Sequence, residues 1–171
     1  MGMKIILIAA VDKNGCIGKN NKMPWHITKD LEFFRQTTYS HIVIMGKNTF
    51  ISLRQKPLPC RLNIVMSTSL PFFTNGVHVA RDKSQALATA ARAIQCENYT
   101  DEVYIIGGEE IYKQFMDVAE IIYISRVAEN FIVEDGDAFF PKIDSDKWEK
   151  IDDLQPGLYT PEFYVERFDK K

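Results

Sequence analysis

One acid stands against an apolar wall in the stretch Met23-Pro24-Trp25-His26-Ile27-Thr28-Lys29-Asp30-Leu31-Glu32-Phe33-Phe34. Thr28 is a fair helix N-cap, and the residues after it read as helix. Asp30 then falls in the first turn. Positions i and i+4 share a helix face, so Asp30 lies with Ile27 and Phe34, and Leu31 borders them. The helix start lowers the pKa of such an acid and burial raises it. Burial is expected to win, placing the carboxyl above the ordinary value of about 4. Taken alone, an Asp in a first turn is more often a solvated partner of the helix dipole.

A second group of residues suits anions. Gly46-Lys47-Asn48-Thr49 joins a strand end to a helix start. Free backbone N–H groups and the dipole there favour negative charge, and Lys47 adds a cation. The Gly-x-x-x-x-Gly-Lys-Ser/Thr loop of nucleotide phosphatases is absent. Ser67-Thr68-Ser69 ends another strand with hydroxyls, fit for phosphate or for a plain turn. Gly107-Gly108 follows the apolar Tyr104-Ile105-Ile106 and implies either close backbone approach to a ligand or a tight turn. Arg61, after the rigid Pro57-Leu58-Pro59, can grip a carboxylate bidentately or sit solvated at a rim.

These residues need a frame. Ile5 to Val11 is continuously apolar and β-branched, the mark of a strand buried on both faces. Further strands are expected at His41–Gly46, Leu62–Ser67, Val77–Ala80, Glu102–Ile106 and Glu120–Val127. Helices should follow Thr28 and Gly46, run from Gln85 to Ile94 with Ser84 as cap, and follow Gly108. Trp148–Leu154 and Glu162–Phe168 have no helix between them and should pair antiparallel. The fold expected is α/β: a three-layer sandwich with a mostly parallel central sheet and an antiparallel C-terminal edge strand. In such sheets ligands bind outside the carboxyl ends of the strands. Ala10, Gly46, Ser67 and Gly107-Gly108 should therefore converge on one cleft beside Asp30. The long connection from Asn14 to Trp25 is either an idle loop or a functional flap. Its apolar Ile17, Met23 and Trp25 favour the flap.

Bulk properties narrow the choice. The chain has 171 residues, 46% hydrophobic and 26% charged, with net charge −2. That fits one domain, 1–171, with a real core, and gives no electrostatic footprint for nucleic acid. Met3 is a candidate natural start, with Met1-Gly2 an addition. The three cysteines and three histidines lack metal-ligand spacing, so no metal and no disulfide framework is expected. No run approaches the roughly 20 apolar residues of a membrane span. A monomer in a reducing, cytoplasmic setting is expected.

In order and spacing, these motifs resemble bacterial-type dihydrofolate reductase over nearly the whole chain. The resemblance rests on Ile8-Ala9-Ala10, Ile17-Gly18 with Met23-Pro24-Trp25, Asp30-Leu31 with Phe34, and Val43 to Thr49. It continues through Pro57-Leu58-Pro59 with Arg61, Ile106-Gly107-Gly108 with Ile111-Tyr112, and Gly136-Asp137 with Phe140-Pro141. It implies reduction of 7,8-dihydrofolate to tetrahydrofolate by NADPH, for one-carbon metabolism, and binding of diaminopyrimidine antifolates. By the same resemblance Asp30 holds the pterin at its N3 and 2-amino edge, with Ser125 beside it. Ile8, Ala10, Leu31, Phe34, Leu53, Leu58 and Ile106 wall the substrate, and Arg61 takes its glutamate carboxylate. Lys47, Asn48, Thr49, Ser67, Thr68 and Arg81 hold cofactor phosphates and ribose. Ala10, Ile17, Gly18, Gly46, Ile106, a cis Gly107-Gly108, Glu109, Ile111 and Tyr112 line the rest of the cofactor. A water admitted near Met23 serves as proton donor to pterin N5, and the loop carrying Trp25 as gate.

Some residues depart from the family pattern. Glu110 stands where some relatives have an arginine, so Glu109 and Glu110 would repel a phosphate they faced. Asp135 is an extra residue in the acidic loop, and Ala138 replaces a hydroxyl. Two alternatives remain open: a same-fold pyrimidine reductase of flavin biosynthesis, and a catalytically silent pterin- or nucleotide-binding protein. The spacing from Trp25 through Asp30 to Phe34 counts against the first, and the intact Asp30, Gly46 and Gly107-Gly108 against the second.

Overall fold

The computed structural model describes residues 2–18, 27–128, 136, 138–151 and 163–171. The buried apolar runs form the expected frame. The strands are β1 (Lys4–Val11), β3 (Ile42–Gly46), β4 (Leu62–Met66), β5 (His78–Ala80), β6 (Glu102–Ile105), β7 (Ile121–Val127), β9 (Trp148–Ile151) and β10 (Phe163–Lys170). They make one eight-stranded sheet in the order β5-β4-β3-β6-β1-β7-β10-β9. Pairing is parallel from β5 through β7. Strand β10 alone is reversed, antiparallel to both β7 and β9. It therefore lies one place inside the edge, and β9 forms the edge itself. Residues 152–154 and 162, expected in these last strands, lie outside the described residues.

Side chains alternate across the sheet and divide the core in two. Leu7, Ile44, Ile64, Ile105 and Ile122 face one layer, where α3 (Lys83–Cys96) and α4 (Glu109–Phe115) cover them. Each such side chain contributes about 1.5–3 kcal/mol by leaving water. Helix α3 presents Ala86, Ala90 and Ala93, small residues on one face that allow close approach to the strands. Ile6, Ile8, Val43, Met45 and Val65 face the other layer, under α1 (Thr28–Thr38) and α2 (Lys47–Ser52). That second layer carries Asp30.

Two helix starts differ from expectation. Thr28 is the first helical residue of α1, not its cap, and Ile27 at the cap position makes no side-chain cap bond. Ile27 is instead buried with Val127, Phe163 and Val165. Packing fixes the entry of the chain in place of a hydroxyl. In α3 the cap is Asp82, whose carboxylate accepts the Gln85 N–H at 2.8 Å. Gln85 Oε1 accepts the Arg81 N–H in return. This reciprocal pair starts the helix ahead of Ser84.

A short ribbon stands apart from the main sheet. β2 (Cys16–Gly18) pairs antiparallel with β8 (Ala138–Phe139). The turn before β2 is built by the buried Asp12, whose Oδ1 accepts the N–H groups of Asn14 and Cys16 at 2.8 and 2.9 Å. Gly15 completes it with φ +80°, a conformation other residues resist.

Candidate active site

Asp30 sits on the buried side of α1 at 5% exposure, and Ser125 of β7 at 2%. Burial pushes the Asp30 carboxyl above its ordinary range, and hydrogen bonding with Ser125 draws it partly back. The expected direction holds. Ser125 is in register with Ala10 on β1, so acid, hydroxyl and strand end lie together. Around them Ile8, Phe34, Leu53, Leu58 and Ile106 belong to one apolar cluster with Phe33 and Tyr123. The Phe33 and Tyr123 rings meet edge to face at 6.0 Å. Leu31 is half-buried beside them.

Arg61 bridges α1 and the Pro59 turn beside this cluster. Its Nη1 donates to the Pro59 carbonyl at 3.1 Å and its Nη2 to the Arg35 carbonyl at 3.5 Å. Its Nε is enclosed without a partner among the described residues. Burial and the neighbouring Arg35 lower its pKa, but a guanidinium remains a cation. The segment that carries Leu58 and Arg61 is locked by Asn63, which sequence reasoning passed over. Asn63 Oδ1 accepts the Leu58 N–H at 2.8 Å. Its Nδ2 donates to the carbonyls of Leu58 and Arg61 at 3.0 and 3.1 Å. A polar residue inside the otherwise apolar run Leu62 to Met66 was the available signal.

The glycine-ended strands converge as expected. The Gly46 N–H donates to the Gly107 carbonyl at 2.8 Å, and the Ile106 N–H to the Ile44 carbonyl at 3.0 Å. The Gly107-Gly108 peptide is cis, and Gly107 has φ +116°. A Cβ at Gly46 would stand 2.9 Å from Ile111 Cγ1, so glycine is needed for this approach. A Cβ at Gly108 would meet the Thr49 hydroxyl at 3.8 Å, which places α2 and α4 starts side by side.

Beyond them lies a basic, hydroxyl-rich corner. Lys47 Nζ donates to Ser69 Oγ at 2.7 Å. Ser67 Oγ accepts the N–H groups of Ser69 and Leu70 at 3.1 and 3.0 Å. Arg81 Nη1 donates to the carbonyls of Ser67 and Leu70 at 2.9 and 2.6 Å, and its guanidinium lies 3.9 Å over the Phe72 ring. Asn48 and Thr68 are exposed at this corner. Two cations and several hydroxyls suit phosphate oxygens. The two acids of α4 are engaged elsewhere: Glu109 Oε1 accepts the Phe139 N–H at 3.2 Å, and Glu110 lies 3.5 Å from Lys113. The donor set therefore fits a phosphorylated dinucleotide, and the repulsion expected from Glu109 and Glu110 is blunted.

Three sequence-selected residues do structural duty next to this cleft. Tyr112 is buried, its hydroxyl donating to the Ile8 carbonyl at 2.7 Å. Burial pushes that hydroxyl well up from its ordinary range. Its ring lies under Gly107, 4.8 Å from that of Phe140. Ile17 and Gly18 are fixed by the β2–β8 ribbon. Met23 and Trp25 lie outside the described residues, as do Asp135 and Asp137.

Comparison with known proteins agrees with this geometry. The family model described as dihydrofolate reductase matches residues 4–158. Dihydrofolate reductase from Neisseria meningitidis serogroup A is 42% identical over 150 residues, 88% of this chain and 86% of that protein. The enzyme from Haemophilus influenzae is 40% identical over 147 residues, 86% of this chain and 84% of its own. Among solved structures, dihydrofolate reductase from Enterococcus faecalis complexed with NADP(H) and RAB-propyl superposes with a TM-score of 0.80. It is 29% identical, with 98% of this chain and 96% of that one covered. Fold, cleft and relatives together place this chain in the dihydrofolate reductase family.

Proposed function

We propose that the chain reduces 7,8-dihydrofolate to tetrahydrofolate with NADPH, as a single-domain monomer in the cytoplasm. The observation that carries the reading is Asp30. It is the buried carboxylate at the floor of an apolar pocket, beside Ser125, where the strand ends meet. Asp30 accepts hydrogen bonds from the N3 and 2-amino edge of the pterin, and Ser125 supports it. Ile8, Phe34, Leu53 and Leu58 exclude water from the ring, and Arg61 pairs with the glutamate carboxylate. Lys47, Thr49, Ser67, Thr68 and Arg81 would hold the cofactor phosphates, with Gly46, Gly107 and Gly108 allowing close approach. When bound, NADPH supplies the hydride for pterin C6. The chain's own work is positioning and water exclusion.

The test follows the NADPH absorbance band with dihydrofolate for wild type and Asp30→Asn. Wild type should turn over, and the variant should lose at least about 100-fold in kcat at neutral pH. A silent wild type overturns the activity, and an undiminished variant overturns the role of Asp30. Diaminopyrimidine antifolates should bind Asp30→Asn far more weakly, because their protonated ring loses its counter-charge.

A further inference from the structure

The β2–β8 ribbon pairs apart from the main sheet, so its place over the cleft depends on contacts other than strand pairing. Within the ribbon Cys16 stands opposite Phe139, and the Phe140 N–H donates to the Gly15 carbonyl at 2.9 Å. Successive N–H groups of a strand point to opposite edges. The Phe139 N–H therefore points away from β2, to the outer edge of the ribbon. Such an edge group finds no partner inside a pair of strands. Here it meets Glu109 Oε1 at 3.2 Å.

Glu109 is half-buried and is the first residue of α4, directly after Gly107-Gly108. A carboxylate that accepts a backbone N–H makes one of the stronger hydrogen bonds in proteins. The same helix holds the next residue of β8 as well, since the Tyr112 ring lies 4.8 Å from that of Phe140. The ribbon itself is tightly packed. A Cβ at Gly136, just before β8, would stand 2.2 Å from Cys16 Sγ. What fixes β8 therefore fixes β2, and β2 carries Ile17 and Gly18. By the family resemblance those two residues and Gly107-Gly108 line the same half of the cofactor, the nicotinamide half.

We propose that Glu109 is a positioning residue for that half. Its carboxylate docks the outer edge of the ribbon on the start of α4 and so sets the distance from Ile17 and Gly18 to the Gly107-Gly108 turn. The proposal rests on the NADPH reading given above. It gives Glu109 a role opposite to the one its charge suggests: the acid aids cofactor binding through the ribbon and does not oppose it through the phosphates.

The test compares Glu109→Ala, which removes the acceptor, with Glu109→Gln, which keeps an acceptor oxygen at the same reach. NADPH binding to the full-length protein is titrated by fluorescence, and exchange of the Phe139 amide is followed by NMR. Glu109→Ala should weaken NADPH about tenfold and speed exchange at Phe139 about as much, while Glu109→Gln stays within about threefold of wild type in both. At saturating NADPH the KM for dihydrofolate should move by less than about twofold in either variant, because Asp30 and Arg61 lie on other elements. Wild-type NADPH affinity in Glu109→Ala, equal losses in both variants, or tighter binding in both would each overturn the proposal; tighter binding would mean that the acid repels the phosphates. Unchanged Phe139 exchange in Glu109→Ala would overturn the docking itself. A wild type with no affinity for NADPH would overturn the underlying reading and the proposal with it, an outcome distinct from a normal wild type with an indifferent Glu109→Ala.

Discussion

Replacing Asn63 by Ala tests whether the pocket rim is held by one side-chain amide. Asn63 is 2% exposed and makes three hydrogen bonds of 2.8, 3.0 and 3.1 Å to the backbone of Leu58 and Arg61. Each is worth about 0.5–1.5 kcal/mol net, more where the stranded partner stays buried. Leu58 and Arg61 are only half-buried, so water can reach part of the freed backbone. The loss should be about 2–3 kcal/mol in total. For a domain of this size that lowers Tm by roughly 4–12 °C. The functional effect should be selective. In the proposed reading Leu58 and Arg61 meet the substrate tail, while the residues assigned to the cofactor lie on other segments. KM for dihydrofolate should rise about tenfold through loosened carboxylate binding, with kcat and the KM for NADPH nearly unchanged. Steady-state kinetics and thermal melts read both effects. An unchanged dihydrofolate KM in a destabilised variant would refute the positioning role. Unchanged stability would refute the energetic estimate.

Burial raises the Asp30 pKa above its unfolded value of 3.8. Between those two values the folded state binds more protons than the unfolded one, so stability falls as pH rises. Asp30→Asn should therefore be the more stable protein at pH 7, with the advantage vanishing below about pH 4; denaturant melts showing equal stability at pH 7 would count against this. Glu166 runs the other way. Burial alone would raise its pKa, but hydrogen bonds from Lys150 and Arg126 outweigh it and hold the carboxyl below 4.5. Its stabilisation is present above that value and lost as pH falls through the folded pKa. Glu166→Gln should cost about 2–4 kcal/mol at pH 7, less than a fully buried pair because Lys150 is half exposed, and converge on wild type in acid. A pH-independent difference would show that packing, not charge, is responsible. Arg81→Gln should raise KM for NADPH roughly tenfold or more and leave KM for NADH unmoved; parallel losses with both cofactors would mean Arg81 only shapes the turn.

The sheet and its cleft were legible because apolar β-branched runs are strong signals and their glycine or hydroxyl ends mark the ligand side. Ile5 to Val11, His41 to Gly46 and Leu62 to Ser67 each match an observed strand to within one residue at either end. The β2–β8 ribbon was not legible. Strands of three and two residues carry no periodicity, and their pairing spans most of the chain. Phe139 and Cys16 gave no hint of each other. Helix starts were legible where a glycine ends an apolar strand, as at Gly46 and Gly108, and misread where the sequence offered a hydroxyl as the cap. At Ile27 tertiary packing replaced the cap, and at Asp82 a carboxylate upstream displaced the hydroxyl of Ser84. Asn63 was missed because its partners are backbone groups, so its polar type, though out of place in an apolar run, named no partner. The half-buried Glu109, bonded to the Phe139 N–H, and the buried Tyr112 needed the fold.

The bond from the Tyr112 hydroxyl to the Ile8 carbonyl ties α4 to β1. In the proposed reading Ile8 faces the substrate and the glycines before α4 face the cofactor, so the two halves of the cleft share a strut. A ligand that tightens one half through this strut would tighten the other, and linkage would make that help mutual and equal. Affinity for dihydrofolate or an antifolate should then be higher in the cofactor-loaded protein, and measuring it with and without NADPH tests the strut directly.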